Sequence, residues 1–286
     1  MGNIMQRMLR AKLKSGVRFS NYRPTLLCLC LCAAAPAAIA QQPDAVVKVG
    51  DALQRFNLLR PGVHRYLRYN VKGDQRSAID IWSRTISFEE REGSKVMHIS
   101  QHWDEVSNPV AMLDADAYFE TGTFRPLTSI EKDVLRAGGT EIDGFRFLPD
   151  KIVGMKDLEG NASKDFSIAS PEPAFNFIYD MELLQALPLD NNYAASIEFY
   201  DPDTGDKQPP ARYVFKVAGS EAIVDATGRS IDCWKVTADY NTGVVRSTFW
   251  YDKTSQVLLR EEAKRKDGSV LVKMLLNTEA ADRAAL

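Results

Sequence analysis

Histidines and aspartates at alternating positions are the first residues of this sequence whose chemistry could form a site. His98, His102 and Asp104 lie within one β-rich run. Alternate residues of a strand point to the same face, so these side chains share a face. Histidines four residues apart on an extended strand are about 13 Å apart at ~3.3 Å per residue, too far to bind one zinc ion. We therefore predict a polar, solvent-facing surface and no metal site.

Paired carboxylates offer a second kind of chemistry, because two carboxylates can act as acid and base in glycoside hydrolysis. Asp114 and Asp116 share a face of a predicted strand. Glu131 and Asp133 repeat this arrangement. The chain has 38 acidic residues, so pairs at this spacing are common by chance. A carboxylate-based hydrolase stays open as an alternative, and no residue is assigned a catalytic role.

Other motifs are absent or incomplete. There is no Gly-x-Ser-x-Gly sequence. Gly138-Gly139 is in a predicted hairpin turn, not in a phosphate-binding loop between a strand and a helix. The loop 201–210 contains Asp201, Asp203 and Asp206 but lacks the ligand spacing and the closing Glu of an EF-hand. We expect an exposed turn there, and no cofactor anywhere in the chain.

The N-terminal 40 residues have the three parts of a secretory signal peptide. Six basic and no acidic residues precede the apolar run 25–35, and Ala38 and Ala40 form a small-x-small cleavage site before Gln41. The run is shorter than the ~20 apolar residues that span a bilayer. We predict cleavage after Ala40, a periplasmic or extracellular protein, and no transmembrane segment afterwards. Translation starts at Met1, Met5 or Met8.

Cleavage changes the cysteine count and the charge of the chain. Three of the four cysteines are in the signal segment, which leaves Cys233 as a predicted buried, unpaired thiol. Removal of six basic residues leaves 30 Lys and Arg against 38 Asp and Glu, a net charge of −8. An acidic chain repels nucleic acid and anionic membrane surfaces. We predict one β-rich domain over residues 41–286, with a two-half organisation and a junction near residue 171 as the alternative.

Alternating apolar and polar residues dominate the mature chain. β-rich runs such as 77–89, 96–103 and 244–251 are separated by turn residues every eight to twelve positions, the pattern of an antiparallel meander. Apolar residues at helical spacing predict helices over 44–59 and 174–187. The predicted fold is mainly β, a large curved antiparallel sheet or an open half-barrel with one or two covering helices.

Aromatic residues are the remaining candidates for a binding site. Trp82, Trp103, Trp234 and Trp250 all lie on predicted strands. Aromatic side chains on the concave face of an open sheet can line a ligand cavity. The same residues also suit an ordinary packed core, and both interpretations stay open.

Several short stretches resemble an uncharacterised family of exported bacterial β-proteins, which is distantly similar to the lipoprotein carriers LolA and LolB. The stretches are 114–126 (DADAYFETGTFRP), 145–155 (FRFLPDKIVGM), 187–189 and 249–252, followed by a strand with 258–260. The carriers are half-barrels that shield acyl chains with a helical lid. The resemblance implies an exported sheet with an apolar concave side. It implies no catalytic residues.

We expect an exported, non-enzymatic protein that binds an apolar or lipid-like ligand or an envelope protein in its curved sheet. Two alternatives stay open: the secreted carboxylate-based hydrolase, and a structural or interaction module of the cell envelope.

Overall fold

The computed structural model describes residues 45–106, 112–134, 138–201 and 208–280. The predicted signal segment, Asp203 and Asp206 lie outside the described residues. Strands make up 60% of the described part, well above the ~20–25% of an average globular domain. The prediction of a mainly β, curved and open sheet is confirmed.

Within the described ranges, sixteen strands form one sheet. The first half of the chain contributes β1 (Ala45–Val47), β2 (Gly62–Lys72), β3 (Gln75–Arg91), β4 (Ser94–Glu105), β5 (Met112–Glu120), β6 (Pro126–Val134), β7 (Thr140–Phe147), β8 (Lys151–Gly154) and β9 (Ser167–Ala169). The second half contributes β10 (Phe175–Asn176), β11 (Ala194–Tyr200), β12 (Ala211–Val224), β13 (Ser230–Ala238), β14 (Ser247–Asp252), β15 (Leu258–Lys264) and β16 (Val270–Ala280).

Two meanders build the sheet and meet at one pair of strands. Strands β2 to β9 pair in chain order, and so do β11 to β16. Antiparallel pairing of β16 with β2 joins the two meanders. At one end of the sheet, both β1 and β10 pair in parallel with β11, whereas the sequence predicted antiparallel pairing throughout. The other end of the sheet is β9, and the sheet is not closed.

Turn chemistry sets the register of the long central hairpin. Arg91 pairs with Ser94, so the loop between β3 and β4 is only Glu92-Gly93. Both residues have positive φ, 51° and 76°, as a two-residue type I′ turn requires. This turn aligns alternate residues along the whole hairpin. Trp82, for example, pairs with Trp103.

Alternation gives the sheet two distinct faces. The inner face carries Trp82, Arg84 and Ile86, which are buried, and the outer face carries Ser83 and Thr85, which are partly exposed. Most of the core is one apolar cluster on the inner face. A smaller cluster around Cys233 and Trp250 lies on the outer side of β13 and β14.

The helix predicted over 44–59 is wrong. Val47 pairs with Ile197 in the sheet, and a turn follows in which the Lys48 N–H donates to the Asp51 carboxylate. Gly50 has a φ of 98°, which is incompatible with a helix. Only a single 3₁₀ turn, Phe56–Leu58, remains. The edge of β11 accepts the backbone of this segment, and local periodicity cannot reveal such a partner.

The helix predicted over 174–187 is shorter than expected. It consists of a 3₁₀ turn, Phe177–Tyr179, followed by α1 (Asp180–Gln185). Phe175–Asn176 instead form β10, and the Asn176 side chain caps the 3₁₀ turn by accepting a bond from the Ile178 N–H. The prediction that this element covers the sheet is correct, because Met181 and Leu184 are buried in the main core.

Candidate functional site

The sheet wraps around one segment, residues 174–189, which we call the inner segment. All six residues of α1 are buried. The segment contacts β3 through Glu182 and Arg84, and β5 through the rings of Tyr179 and Phe119, whose centroids are 5.0 Å apart. The curved sheet buries this helix together with the 53–59 segment, since Gln185 Nε2 donates to the Leu58 carbonyl and the Arg55 N–H donates to the Ala186 carbonyl.

A charged pair connects the inner segment to the sheet. Arg84 Nε donates to Glu182 Oε1 at 2.6 Å, and Arg84 Nη2 donates to Glu182 Oε2. The Arg84 side chain is only 1% exposed. Its guanidinium lies 4.4 Å from the centre of the Trp82 ring and donates a further bond to Gln101 Oε1 at 3.0 Å. This two-point ion pair is therefore desolvated and rigidly held.

Neutral hydrogen bonds hold the far end of the inner segment. Gln256 Nε2 donates to the carbonyl oxygens of Gln185 and Leu187, at 2.7 Å each. The Tyr251 hydroxyl donates to the Met181 carbonyl at 3.2 Å. The segment is thus attached by side chains of β14 and of the β14–β15 connection, by a backbone bond from the Arg55 N–H to the Ala186 carbonyl at 3.1 Å, and by the strand pairing of Phe175–Asn176.

Two further buried ion pairs lie on the inner face. Lys273 Nζ is 2.6 Å from Glu261 Oε2, and Arg68 Nε donates to Asp80 Oδ1 at 2.6 Å. Both partners of each pair belong to strands of the sheet. They differ in this respect from Arg84, whose partner belongs to the inner segment.

One acidic group of α1 is buried close to these charges. Burial raises the pKa of Asp180 from 3.8 to about 6, and the nearby Lys273 ammonium opposes the shift. The Asp180 carboxyl group therefore changes its charge in mildly acidic solution.

Aromatic rings form much of the remaining interior. Phe177 of the inner segment makes edge contacts with the rings of Phe199, Tyr213 and Tyr240. Trp82 and Trp103 stack with ring centroids 5.4 Å apart. Both tryptophans belong to the packed core with the inner segment in this position, whereas Trp250 belongs to the outer cluster.

Of the residues predicted to face solvent, His102 lines a cavity of about 360 Å³ on the outer face, whereas His98 and Asp104 are not part of its lining. Ser83, His102, Asp114 and Lys132 form a row of directly paired positions across β3 to β6. Asp116 also lines this cavity, and Leu158 contributes part of its apolar surface. Asp114 and Asp116 thus share a face, as the alternation predicted.

The histidine and aspartate side chains at this outer cavity are hydrogen-bonded to one another. His102 Nδ1 is 2.5 Å from Asp114 Oδ1, and His102 Nε2 is 3.1 Å from Asp104 Oδ1. The hydrogen bond with Asp114 raises the pKa of His102, and Asp104 adds to the effect. His98 Nε2 is 2.8 Å from Asp116 Oδ1. Since both ring nitrogens of His102 face carboxylates, neither is left to activate the neighbouring Ser83 as a nucleophile.

The other acidic candidates are separated from this cavity. Glu131 is buried and pairs in register with Ala115, which belongs to the inner-face core, so it lies on the side opposite Asp114 and Asp116. Asp201 is described, whereas the rest of its predicted loop up to residue 207 is outside the described residues. In the described ranges, no group of His, Cys, Asp and Glu has the arrangement needed to hold a metal ion.

Asn161 has a structural role. Its Oδ1 accepts bonds from the N–H groups of Gly144 and Ser163, and its Nδ2 donates to the carbonyls of Gly144 and Met155. Asn161-Ala-Ser163 has the form of an N-glycosylation sequence, but the Asn161 side chain is buried and not accessible in the folded chain. The Asn161 bonds hold the 155–166 loop against β7.

Sequence reasoning missed the Arg84–Glu182 pair, although a signal was present. Asp80, Trp82, Arg84 and Ile86 occupy one face of a predicted strand, so two charges were assigned to a face with apolar neighbours. Glu182 likewise sits within an apolar helical stretch. Charges at core positions require partners, but their pairing cannot be read from spacing.

Family comparison gives a clear assignment. Residues 68–277 match the family described as "Protein of unknown function (DUF3108)". The chain belongs to this family. No curated protein matches the chain significantly. None of the described helices is long and apolar enough to cross a membrane.

Several solved structures are similar to the chain. A β-barrel-like DUF1849 protein from Brucella abortus has 12% identity and a TM-score of 0.46, covering 78% of this chain and 99% of its own. The hypothetical lipoprotein YmcC from Escherichia coli has 16% identity and a TM-score of 0.29, covering 78% and 89%. A putative outer membrane lipoprotein-sorting protein domain from Vibrio parahaemolyticus has 9% identity and a TM-score of 0.27, covering 80% and 87%.

Proposed function

We propose that this DUF3108 protein is an exported, non-enzymatic binding protein whose curved sheet shelters an apolar or lipid-like ligand. The observation that carries the proposal is the enclosure of α1, with all six residues buried, inside a sheet that is not closed. The ligand occupies the space that the inner segment fills in this structure. The site of action is the periplasm, where an envelope protein is the natural donor or acceptor of such a ligand.

The contacts of the inner segment are compatible with its replacement by a ligand inside the sheet. Met181, Leu183 and Leu184 supply the apolar volume inside the sheet. An acyl chain of comparable volume recovers the same burial when these side chains leave, since the hydrophobic effect depends on apolar area and not on its chemical identity. The segment's departure breaks side-chain bonds, the two-residue strand pairing with β11 and the backbone bond from the Arg55 N–H to the Ala186 carbonyl, and the meanders of the sheet stay intact.

Ligand capture tests the proposal directly. The mature protein, residues 41–286, is incubated with a bacterial lipid extract, re-purified, and analysed by native mass spectrometry. We expect a bound acyl lipid and displacement of the dye N-phenyl-1-naphthylamine from the protein by that lipid. A matched variant, Lys253→Gln, alters an exposed ion pair with Asp232 and should bind equally well.

The alternatives give different results in the same assay. A structural or interaction module with a permanently packed interior retains neither lipid nor dye, and that outcome would refute the proposal. A carboxylate-based hydrolase releases product from polysaccharide or ester substrates, and Asp114→Asn together with Asp116→Asn would abolish that activity. The engagement of these two aspartates by His102 and His98 leads us to expect no such activity.

A further inference from the structure

We infer that the sheltered ligand carries an acidic head group, which replaces the Glu182 carboxylate on Arg84. This inference rests on the proposed function and specifies its substrate class. The starting point is the position of Arg84 in β3, which pairs with β2 on one side and β4 on the other. Arg84 therefore stays in place when the inner segment moves.

Departure of the inner segment removes the counter-charge of Arg84. Both bonds to Glu182 are lost, and so is the weak contact of Arg84 Nη2 with the Ile178 carbonyl at 3.5 Å. The partners that stay are Gln101 and the Trp82 ring, and both are neutral. A guanidinium is always protonated in proteins, and a buried, unpaired charge is strongly unfavourable.

The other two buried ion pairs would keep both of their charges if the inner segment left. Lys273 and Glu261 lie on neighbouring strands, β16 and β15. Arg68 and Asp80 are directly opposite each other on β2 and β3. Both pairs stay intact without the inner segment. Among these three buried pairs, Arg84–Glu182 is thus the one that ligand exchange would break.

The geometry of Arg84 defines what can take the place of Glu182. Its Nε and Nη2 atoms point as a fork toward two carboxylate oxygens, an arrangement that carboxylate and phosphate groups both match. Next to this point lie Met181, Leu183 and Leu184 of α1, whose volume an acyl chain would fill. The ligand class is therefore an anionic amphiphile with one acidic head beside its chain.

The test compares compounds that share one acyl chain and differ in head group. Binding of lauric acid, lauryl phosphate, lauryl alcohol and lauryltrimethylammonium to the mature protein is measured by isothermal titration calorimetry below their critical micelle concentrations. We expect an acidic compound to bind at least about tenfold more tightly than the alcohol, and the cation to bind least. Comparison of the carboxylate with the phosphate distinguishes a fatty-acid head from a phospholipid-type head.

Two variants connect the preference to Arg84. Glu182→Gln removes the competing carboxylate and should tighten binding of the acidic compound about tenfold. The double variant Arg84→Met/Glu182→Leu removes both charges together, which spares the fold an unpaired buried charge. Its circular dichroism spectrum should match that of the wild type, and its affinities for lauric acid and lauryl alcohol should be equal.

The outcomes distinguish failure of the head-group inference from failure of the proposed function. Equal binding of acid and alcohol by the wild type would overturn the head-group inference and leave the proposed function standing. An acid preference that persists in the double variant would overturn the assignment to Arg84. Failure of every lauryl compound, together with failure of the lipid extract, would overturn the proposed function itself.

Discussion

Arg84 on β3 and Glu182 on α1 are 98 positions apart in sequence and form a two-point ion pair inside the sheet. The pair links the inner segment to β3, the second strand of the meander β2–β9. Arg84 also lies against the Trp82 ring, so the charge is surrounded by apolar and aromatic groups. Replacing one partner therefore has different consequences from replacing both.

Breaking this pair on one side should be costly. Arg84→Met leaves the Glu182 carboxylate buried without its partner, and we expect a loss of about 3–5 kcal/mol in the free energy of unfolding. The double variant Arg84→Met/Glu182→Leu should recover most of that loss. Urea denaturation measures both, with Arg229→Met, which removes an exposed arginine paired with Asp225, as a control expected to cost less than about 1 kcal/mol. A double variant as unstable as the single would contradict this prediction.

The 155–166 loop should depend on the absence of a side chain at position 144. A Cβ atom on Gly144 would lie 2.4 Å from Leu158 Cδ2. Because Leu158 is a flexible side chain, Gly144→Ala should cost about 1–3 kcal/mol. Adding Leu158→Ala should restore part of the loss. In contrast, a Cβ on Gly154 would lie 1.8 Å from the Ser163 backbone oxygen, so Gly154→Ala should cost more and should not be rescued by trimming a side chain. Thermal unfolding of these three variants decides between these expectations.

Asp180 should make stability fall as the solution becomes less acidic. Its pKa is about 6 in the folded chain, against an ordinary value of 3.8, and burial is the main cause. Between these values the folded state binds more protons than the unfolded state, so the free energy of unfolding decreases as pH rises. Asp180→Asn removes this pH-dependent contribution to the free energy of unfolding. The stability of the variant minus that of the wild type should grow from about pH 4 to about pH 6 and then level off. The free energies of unfolding of the wild type and the variant are measured by urea denaturation at each pH. A constant difference between them from about pH 4 to about pH 6 would rule out the raised pKa of Asp180.

Cys233 should be unreactive in the native protein. It is fully buried, and burial raises the pKa of its thiol to about 11. The thiolate, which is the reactive form, is therefore scarce at neutral pH. We expect labelling by a maleimide to be slow without denaturant and rapid in guanidinium chloride. Rapid labelling of the native protein would be inconsistent with the buried position.

Export should remove the first 40 residues. The small residues Ala38 and Ala40 satisfy the signal peptidase, so the mature chain should begin at Gln41. N-terminal sequencing of protein recovered from the periplasm tests this. Ala40→Tyr should block cleavage and leave a longer chain. A wild-type protein that retains residues 1–40 would refute the prediction.

Local pattern was sufficient to predict much of the fold. Alternation predicted 77–89 and 96–103 within strands, and the structure has β3 and β4 there. The error at 44–59 shows the limit of this reasoning. Apolar spacing of three and four residues suits a helix, but Gly50 and the free edge of β11 favour a turn and a strand.

The candidate site could be predicted only in part. Burial of Met181 and Leu184 follows from helical spacing, and the shared face of Asp114 and Asp116 follows from strand alternation. The contact of His102 with Asp114 depends on the register between β4 and β5. Register depends on turns and on the packing of one whole face, so no single stretch of sequence contains it.

The sequence by itself determined the strands, the turns, the unpaired Cys233 and the family of this protein, since these properties depend on nearby residues or on the order of residues along the chain. Only the tertiary structure decided that β16 joins β2, that the sheet encloses α1, and that Arg84 meets Glu182. The physical reason is that a buried charge can be satisfied by any opposite charge that the fold brings within hydrogen-bonding distance. Sequence separation does not limit that choice, whereas the curvature and register of the sheet do.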